Sequence, residues 1–224
     1  MSRLWLILPV ALICAPALAE DRPAPLAAAL AAASDGPLYA YDMTFEGSGV
    51  TERGKVDPTQ PEGQRITVDS PAREAWPDGF EEDLKELDAD ADGDIWCAGL
   101  AEHVPEAVTL IEETDRTATY TFVPEPGENA DGTDRKVMKK LIGEITVDTI
   151  NPAILAFSMK APKPFKPALV AKIETFDMSV QCARAPDGRT YVEEMNMIVE
   201  GSALGQSFSE RARQAITQLF PSGA

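Results

Sequence analysis

Apolar and polar residues alternate along much of the chain, and this period of two predicts β-strands with one apolar face. The first clear case is the segment 38–46, in which Tyr39, Tyr41, Met43 and Phe45 share one face. Similar runs predict six further strands, and the short connections between them favour antiparallel neighbours. These runs cover residues 50–57, 64–69, 107–113, 117–123, 142–148 and 153–161.

The C-terminal half contains the clearest hairpin. Segments 172–182 and 189–201 flank Pro186-Asp187-Gly188, a sequence typical of a turn. The final segment, 207–220, begins with Ser207 and Glu210 in a capping-box arrangement and continues with helical spacing of apolar residues. This pattern favours a helix, with an edge strand as the alternative.

Helical patterns are otherwise few, at 23–33, 79–87 and 133–140. Strands and helices do not alternate as a parallel sheet would require. The predicted fold is therefore mainly β, of the α+β type, with a curved antiparallel sheet or half-barrel and a few peripheral helices.

The composition is that of one globular domain. The chain has 224 residues, of which 44% are hydrophobic and 25% charged. Its net charge of −17 argues against binding to nucleic acid, which requires clustered lysine and arginine. Because the chain has a single histidine, it cannot form a multi-histidine metal site by itself. Acids dominate residues 20–131, with 27 against 7 basic residues, whereas residues 132–224 hold 10 acids and 12 basic residues.

The N-terminus reads as an export signal. Residues 1–19 combine Arg3, an apolar run over 4–14 and the small-x-small site Ala17-Leu18-Ala19, which together predict a cleaved signal peptide. Residues 20–224 would then form a single β-rich domain in the periplasm or outside the cell. Cleavage removes Cys14 and leaves Cys97 and Cys182, for which export favours a disulfide over two buried free thiols.

An acidic segment offers a candidate metal site. Asp88, Asp90, Asp92 and Asp94 occupy alternate positions around Gly93, as oxygen ligands do in the first part of an EF-hand calcium loop. The twelfth position, where such loops carry a bidentate glutamate, is Gly99. The alternatives are a weak calcium site, which would make the protein a calcium-stabilised structural or interaction module, and a solvated acidic loop.

A basic segment follows the predicted strand 153–161. Lys160, Lys163 and Lys166 lie among prolines, and no acid occurs before Glu174. This segment could make transient contact with a membrane or another anionic surface, or it could be a solvated connection.

Methionines and aromatic residues share strand faces throughout the predicted sheet. Flexible, polarizable methionines can adapt to irregular apolar ligands. We therefore predict an apolar ligand site, with ordinary core packing as the alternative. The predicted lining is Tyr41, Met43, Phe45, Phe157, Met159, Phe176, Met178, Tyr191, Met195 and Met197.

The sequence contains no nucleophile motif and no phosphate-binding glycine loop. We therefore expect a non-catalytic protein, with no cofactor other than the Ca²⁺ of the candidate calcium site. A carboxylate-dependent hydrolase is a further hypothesis, because such catalysis needs only two acids ~5–9.5 Å apart and the chain has 37.

From residue 38 onward, the chain resembles the periplasmic lipoprotein-carrier superfamily (LolA/LolB-like). The resemblance lies in the aromatic first strand after a short helix, in Gly143-Glu144-Ile145-Thr146-Val147-Asp148 leading into 154–159, and in the long terminal hairpin. It implies a curved half-barrel covered by helices, which binds a lipid, an acyl chain or a lipidated protein without catalysis. The region 78–102, which contains Cys97, departs from that pattern.

Overall fold

The structure is a computed structural model, and it describes residues 22–32, 35–47, 50–76, 79–127 and 130–222. The predicted signal peptide and Cys14 lie outside the described residues.

About half of the described residues belong to one open antiparallel sheet. Its strand order is β3-β2-β1-β11-β10-β9-β7-β6-β5-β4, with β8 paired to β9 beside β7. The mainly β fold class predicted from the sequence is confirmed. The strands are β1 (Tyr39–Gly47), β2 (Val50–Val56), β3 (Ile66–Ser70), β4 (Thr109–Glu113), β5 (Thr117–Phe122), β6 (Ile142–Asp148), β7 (Ala153–Lys160), β8 (Phe165–Ala168), β9 (Ala171–Arg184), β10 (Thr190–Ala203) and β11 (Gln206–Pro221).

Short helices lie where the sequence predicted them. They are α1 (Ala24–Leu30), α2 (Phe80–Asp90) and α3 (Asp134–Met138). Two 3₁₀ turns, at Arg73–Ala75 and Cys97–His103, were not predicted. Over the described ranges, no helix combines the length and the apolar character that crossing a membrane would need.

The prediction of a C-terminal helix is wrong. The segment is β11, the longest strand, which lies between β10 and β1 and pairs with both. Ala215, for example, lies opposite Glu194 on one side and Thr44 on the other. Pairing with the adjacent β10 and with the distant β1 decides this conformation and outweighs the local helical spacing.

The two faces of the sheet differ in chemistry. Directly opposed residues of antiparallel strands share a face, and one such row runs through Phe157, Val180, Met195, Gln214 and Phe45. This row lies on the face that we call the inner face.

The outer face instead carries ion pairs between neighbouring strands. Examples are Lys160 Nζ to Asp177 Oδ2 at 3.1 Å and Arg213 Nη2 to Glu194 Oε2 at 2.6 Å. The inner face therefore holds the apolar groups that the fold buries.

One half of the inner face is tightly covered. Leu26 and Ala29 of α1 are fully buried there, against a cluster that includes Phe157 and Ile145. The 3₁₀ turn Cys97–His103 covers the same half, and the predicted disulfide between Cys97 and Cys182 fixes it to β9 with a Cα–Cα distance of 6.4 Å. This half is the closed core of the molecule.

Candidate functional site

Helix α2 covers the other half of the inner face, above β1, β2 and β3. The carboxylate of Asp88, near the end of α2, is buried and accepts hydrogen bonds from the backbone N–H groups of Gly63 and Ile66, the latter at 2.7 Å. Arg65 Nη1 also donates to the carbonyl oxygen of Ala89 at 2.9 Å. These contacts attach the C-terminal end of α2 to the connection between β2 and β3.

The apolar side chains of α2 are directed at the sheet. Phe80, Leu84 and Leu87 recur at helical spacing and line the same space, together with Ala91 just after the helix. At the N-terminal end, the ring of Trp76 lies 4.8 Å from that of Phe80, centroid to centroid. The helix thus presents a narrow apolar stripe, while its remaining surface is acidic.

A cavity of about 380 Å³ lies between this stripe and the sheet. We call it the α2 cavity. Its volume falls in the range of small-molecule sites, roughly 300–1,000 Å³. Its lining is mostly aliphatic and aromatic and consists of Tyr41, Met43, Phe45, Glu52, Arg53, Gly54, Val56, Ile66, Val68, Phe80, Leu84, Leu87, Asp90, Ala91 and Gln214.

The lining is only partly buried by the protein itself. Met43, Phe45 and Val68 are half-buried, and Leu87 is 61% exposed. In the closed core, by contrast, Phe157 and Met159 are almost completely buried. Apolar groups beneath α2 therefore keep contact with solvent that a bound apolar molecule would remove.

Polar groups collect at one part of the cavity. Glu52 and Gln214 flank Phe45 from the neighbouring strands and share its face. Burial raises the pKa of Glu52 above its ordinary value. Arg53 contributes to the lining from β2, but it pairs with Thr44 on the opposite face and is exposed.

At the buried end, Tyr41 is largely shielded from solvent. Burial, with a smaller contribution from nearby Asp92, raises the pKa of Tyr41 to about 12. The phenol is therefore neutral at physiological pH, and the deep part of the cavity carries no charge from it.

The ten predicted ligand-contacting residues separate into groups. Tyr41, Met43 and Phe45 line the α2 cavity. Phe157 and Met159 are interior residues of the closed core, and Phe176, Met178 and Met195 pack against that core. Met197 lies in a separate, more open depression beside Arg211 and Arg213.

Tyr191 does not continue the row of Met195 and Met197. A bulge in β10 places Val192 opposite Cys182, so that Val192 takes that row, whereas Tyr191 lies opposite Ala183 and packs with the Tyr39 and Trp96 cluster. A β-bulge adds one residue to a strand and thus reverses the faces beyond it. The alternation in sequence could not reveal this change.

The four aspartates of the predicted calcium segment have separate surroundings. Asp88 and Asp90 belong to α2, and Asp88 accepts the two backbone hydrogen bonds described above. Asp92 Oδ1 accepts from the backbone N–H of Asp94 at 3.0 Å. Among the residues that the structure describes, no group of three or more acidic, histidine or cysteine side chains is arranged to hold a metal ion. The calcium site stays a prediction.

The contribution of α2 and β3 to the site was not predicted. Ile66, Val68, Phe80, Leu84 and Leu87 line the cavity. The signal available in the sequence was the helical spacing of Phe80, Leu84 and Leu87, which shows that this acidic helix has one apolar side.

The chain was also compared with known proteins. Protein-family models, curated proteins and solved structures were all searched, and none of them matched this chain.

Proposed function

We propose that this protein is a non-catalytic carrier that binds the alkyl or acyl chain of a lipid or lipidated protein in the α2 cavity. The observation that carries the proposal is the half-buried apolar lining of a cavity of about 380 Å³ beneath α2. The resemblance to lipoprotein carriers points in the same direction, and the proposal rests on the geometry.

The binding free energy gained when a ligand fills the cavity is estimated from the ligand's own apolar surface. Each buried CH₂ group contributes ~0.8 kcal/mol. Two additional methylenes should therefore tighten binding by ~1.6 kcal/mol, which corresponds to ~15-fold in Kd. This dependence should continue until the chain fills the space between Val68 and Leu84.

The polar part of the cavity favours a ligand whose head group is not an anion. A carboxylate head beside Glu52 would lie next to a group of the same charge, and Asp90 also contributes to the lining. A neutral or hydrogen-bond-donating head group can instead donate to Glu52 or Gln214. We infer that alcohols, amides or amines bind more tightly than carboxylates of equal chain length.

The test measures uptake of the neutral fluorescent probe N-phenyl-1-naphthylamine by purified, delipidated protein. Saturable binding of the probe is expected. Alkanols should displace the probe more strongly as their chains lengthen, and carboxylates of equal chain length should displace it more weakly. Absence of saturable binding, or displacement that does not depend on chain length, would overturn the proposal.

A pair of variants locates the binding site. Leu87→Asp introduces a charge into the cavity lining at a position 61% exposed, so that the fold should tolerate it. Ile150→Asp is the matched control, because Ile150 is 59% exposed and lies in the turn between β6 and β7. Probe affinity should fall at least ~10-fold in the first variant and not in the second. Equal affinity in the two variants contradicts binding beneath α2.

We also propose that the protein acts in the periplasm or outside the cell. The disulfide between Cys97 and Cys182 supports an oxidising compartment, since cytosolic thiols are normally kept reduced. An export assay with a reporter fused behind residues 1–19 would test this location, and a reporter retained in the cytoplasm would contradict it.

A further inference from the structure

Three aliphatic side chains project into solvent from one end of the sheet. Leu169 is 100% exposed, Leu204 80% and Val170 60%. Leu169 and Val170 connect β8 to β9, whereas Leu204 lies in the turn between β10 and β11. A hydrogen bond from the backbone N–H of Leu204 to the carbonyl oxygen of Val170, 2.9 Å long, joins the two turns. We call these three residues the apolar tip.

The backbone at Leu204 is unusual for a leucine. Leu204 has φ 52° and Gly205 has φ 83°. Two successive positive φ angles in a two-residue hairpin turn favour Asn-Gly, because residues with larger side chains are strained in this region. Among the described residues, Leu204 is the one non-glycine residue with positive φ. An exposed leucine therefore occupies a position at which folding alone would favour asparagine.

The same end of the molecule is basic, although the chain as a whole is acidic. Between residues 160 and 173 there are four lysines and no acid. Lys160 and Lys172 form ion pairs with Asp177 and Glu174. Lys163 and Lys166 are exposed and form no ion pair with any residue that the structure describes. They leave a local excess of positive charge close to the apolar tip.

More lysines lie at this end of the neighbouring strands. Lys139 and Lys140 come just before β6, whose first residue, Ile142, lies opposite Lys160. The strands β9, β10 and β11 extend beyond this point, with the apolar tip at their ends. The apolar tip thus projects beyond the neighbouring strands at an end of the sheet that is rich in lysine.

We propose that the apolar tip is a docking site for an anionic lipid bilayer. The three aliphatic side chains enter the interfacial region of the bilayer, and Lys163 and Lys166 lie against the anionic lipid head groups. Charges more than ~8 Å away are largely screened at physiological salt, so the acidic remainder of the molecule opposes this contact only weakly. The proposal does not depend on a ligand in the α2 cavity.

The test is co-sedimentation with vesicles of phosphatidylcholine alone or with about one third phosphatidylglycerol, an anionic fraction that attracts nearby lysines. Binding is expected to the anionic vesicles and should weaken as salt rises. Lys163→Gln/Lys166→Gln should reduce the partition coefficient by ~5-fold per lysine. Equal binding to both kinds of vesicle, or none to either, would overturn the proposal.

Substitutions of the tip separate insertion from charge. Leu169→Asp/Leu204→Asp should abolish vesicle binding while leaving probe uptake in the α2 cavity unchanged. The matched control is Leu110→Asp/Ile111→Asp, which alters two exposed aliphatic residues on edge strand β4. If the control variant loses as much vesicle binding as the tip variant, the apolar tip is not the docking site.

Leu204→Asn offers a sharper test. Asparagine suits the positive φ of the turn, so this variant should be at least as stable as the wild type and yet bind anionic vesicles less well. A purely structural role would give the opposite result for stability. The proposal is wrong if the wild type does not bind vesicles and sedimentation velocity shows a dimer that Leu204→Asn dissociates. The tip would then join two copies of the chain.

Discussion

Asp88→Ala should destabilise the protein more than any other single substitution in the acidic segment. The carboxylate is buried and accepts hydrogen bonds from the backbone N–H groups of Gly63 and Ile66. Hydrogen bonds to a charged group contribute ~1.5–3 kcal/mol each, and removal of the acceptor leaves donors unpaired. Because Gly63 is exposed and can bind water, we expect a total loss of ~2–4 kcal/mol.

Urea unfolding at neutral pH, followed by far-UV circular dichroism, measures this loss. Asp88→Asn keeps one acceptor oxygen and should lose about half as much free energy of unfolding. Asp90→Ala is the control, because Asp90 is exposed on the same helix, and its effect should stay within ~0.5 kcal/mol. A loss below ~0.5 kcal/mol for Asp88→Ala would refute the role assigned to its carboxylate.

The same variants distinguish this role from the calcium hypothesis. If Asp88 is a backbone acceptor, the loss in Asp88→Ala is the same with millimolar calcium and with chelator. If the segment is a calcium site, the melting temperature of the wild type rises with calcium and that of Asp90→Ala/Asp92→Ala does not. A calcium-dependent loss in Asp88→Ala would therefore contradict our assignment and support the metal site.

Two further predictions concern the disulfide and the buried carboxylate of Asp148. Replacement of Cys97 and Cys182 by serine should lower the free energy of unfolding by ~4.5 kcal/mol in the chain-entropy description. The reason is that the bond closes a loop with a sequence separation of 85. Reductant should destabilise the wild type and leave the stability of the double variant unchanged. Hydrogen bonds from the backbone of Asn151 and Ile150, with Arg184, lower the pKa of Asp148 in the folded protein. Its carboxylate therefore stabilises the fold above the unfolded pKa of ~3.9, and this stabilisation is lost as the pH falls through the lower pKa of the folded state. The difference in unfolding free energy between wild type and Asp148→Asn should accordingly shrink below pH ~4, and a difference independent of pH would contradict this role.

The strands could be predicted because their signal is local. Alternation over 38–46 is sufficient to identify β1, and the turn at Asp187 and Gly188 defines the hairpin of β9 and β10. For β11 the local helical spacing was misleading, since the conformation depends on pairing with β10 and also with β1, which precedes it by more than 150 residues in the chain. Strand β8 was missed because its four residues lie in a proline-containing segment that has no alternation.

The acidic segment shows what its own sequence leaves open about the surroundings of each carboxylate. The spacing of Asp88, Asp90 and Asp92 fits a calcium loop, but α2 continues through Asp90 and gives Asp88 a different direction from its neighbours. Whether a carboxylate meets a cation, water or a backbone N–H depends on which distant segment packs beside it. Here that segment is the connection between β2 and β3, which the sequence of α2 does not specify.

The apolar row of the inner face provides a second example, at the proposed ligand site. Phe45 and Phe157 occupy equivalent places in one row of the sheet, and both follow a strand pattern that predicts a buried side chain. They differ in what covers them. The covering of Phe157 includes α1 and a turn fixed to β9 by a disulfide, whereas Phe45 lies beneath a helix attached through Asp88 near its C-terminal end. Phe45 therefore lines the α2 cavity whereas Phe157 is buried, and a substitution that loosens α2 should change the affinity for the proposed ligand without altering a single residue of the sheet.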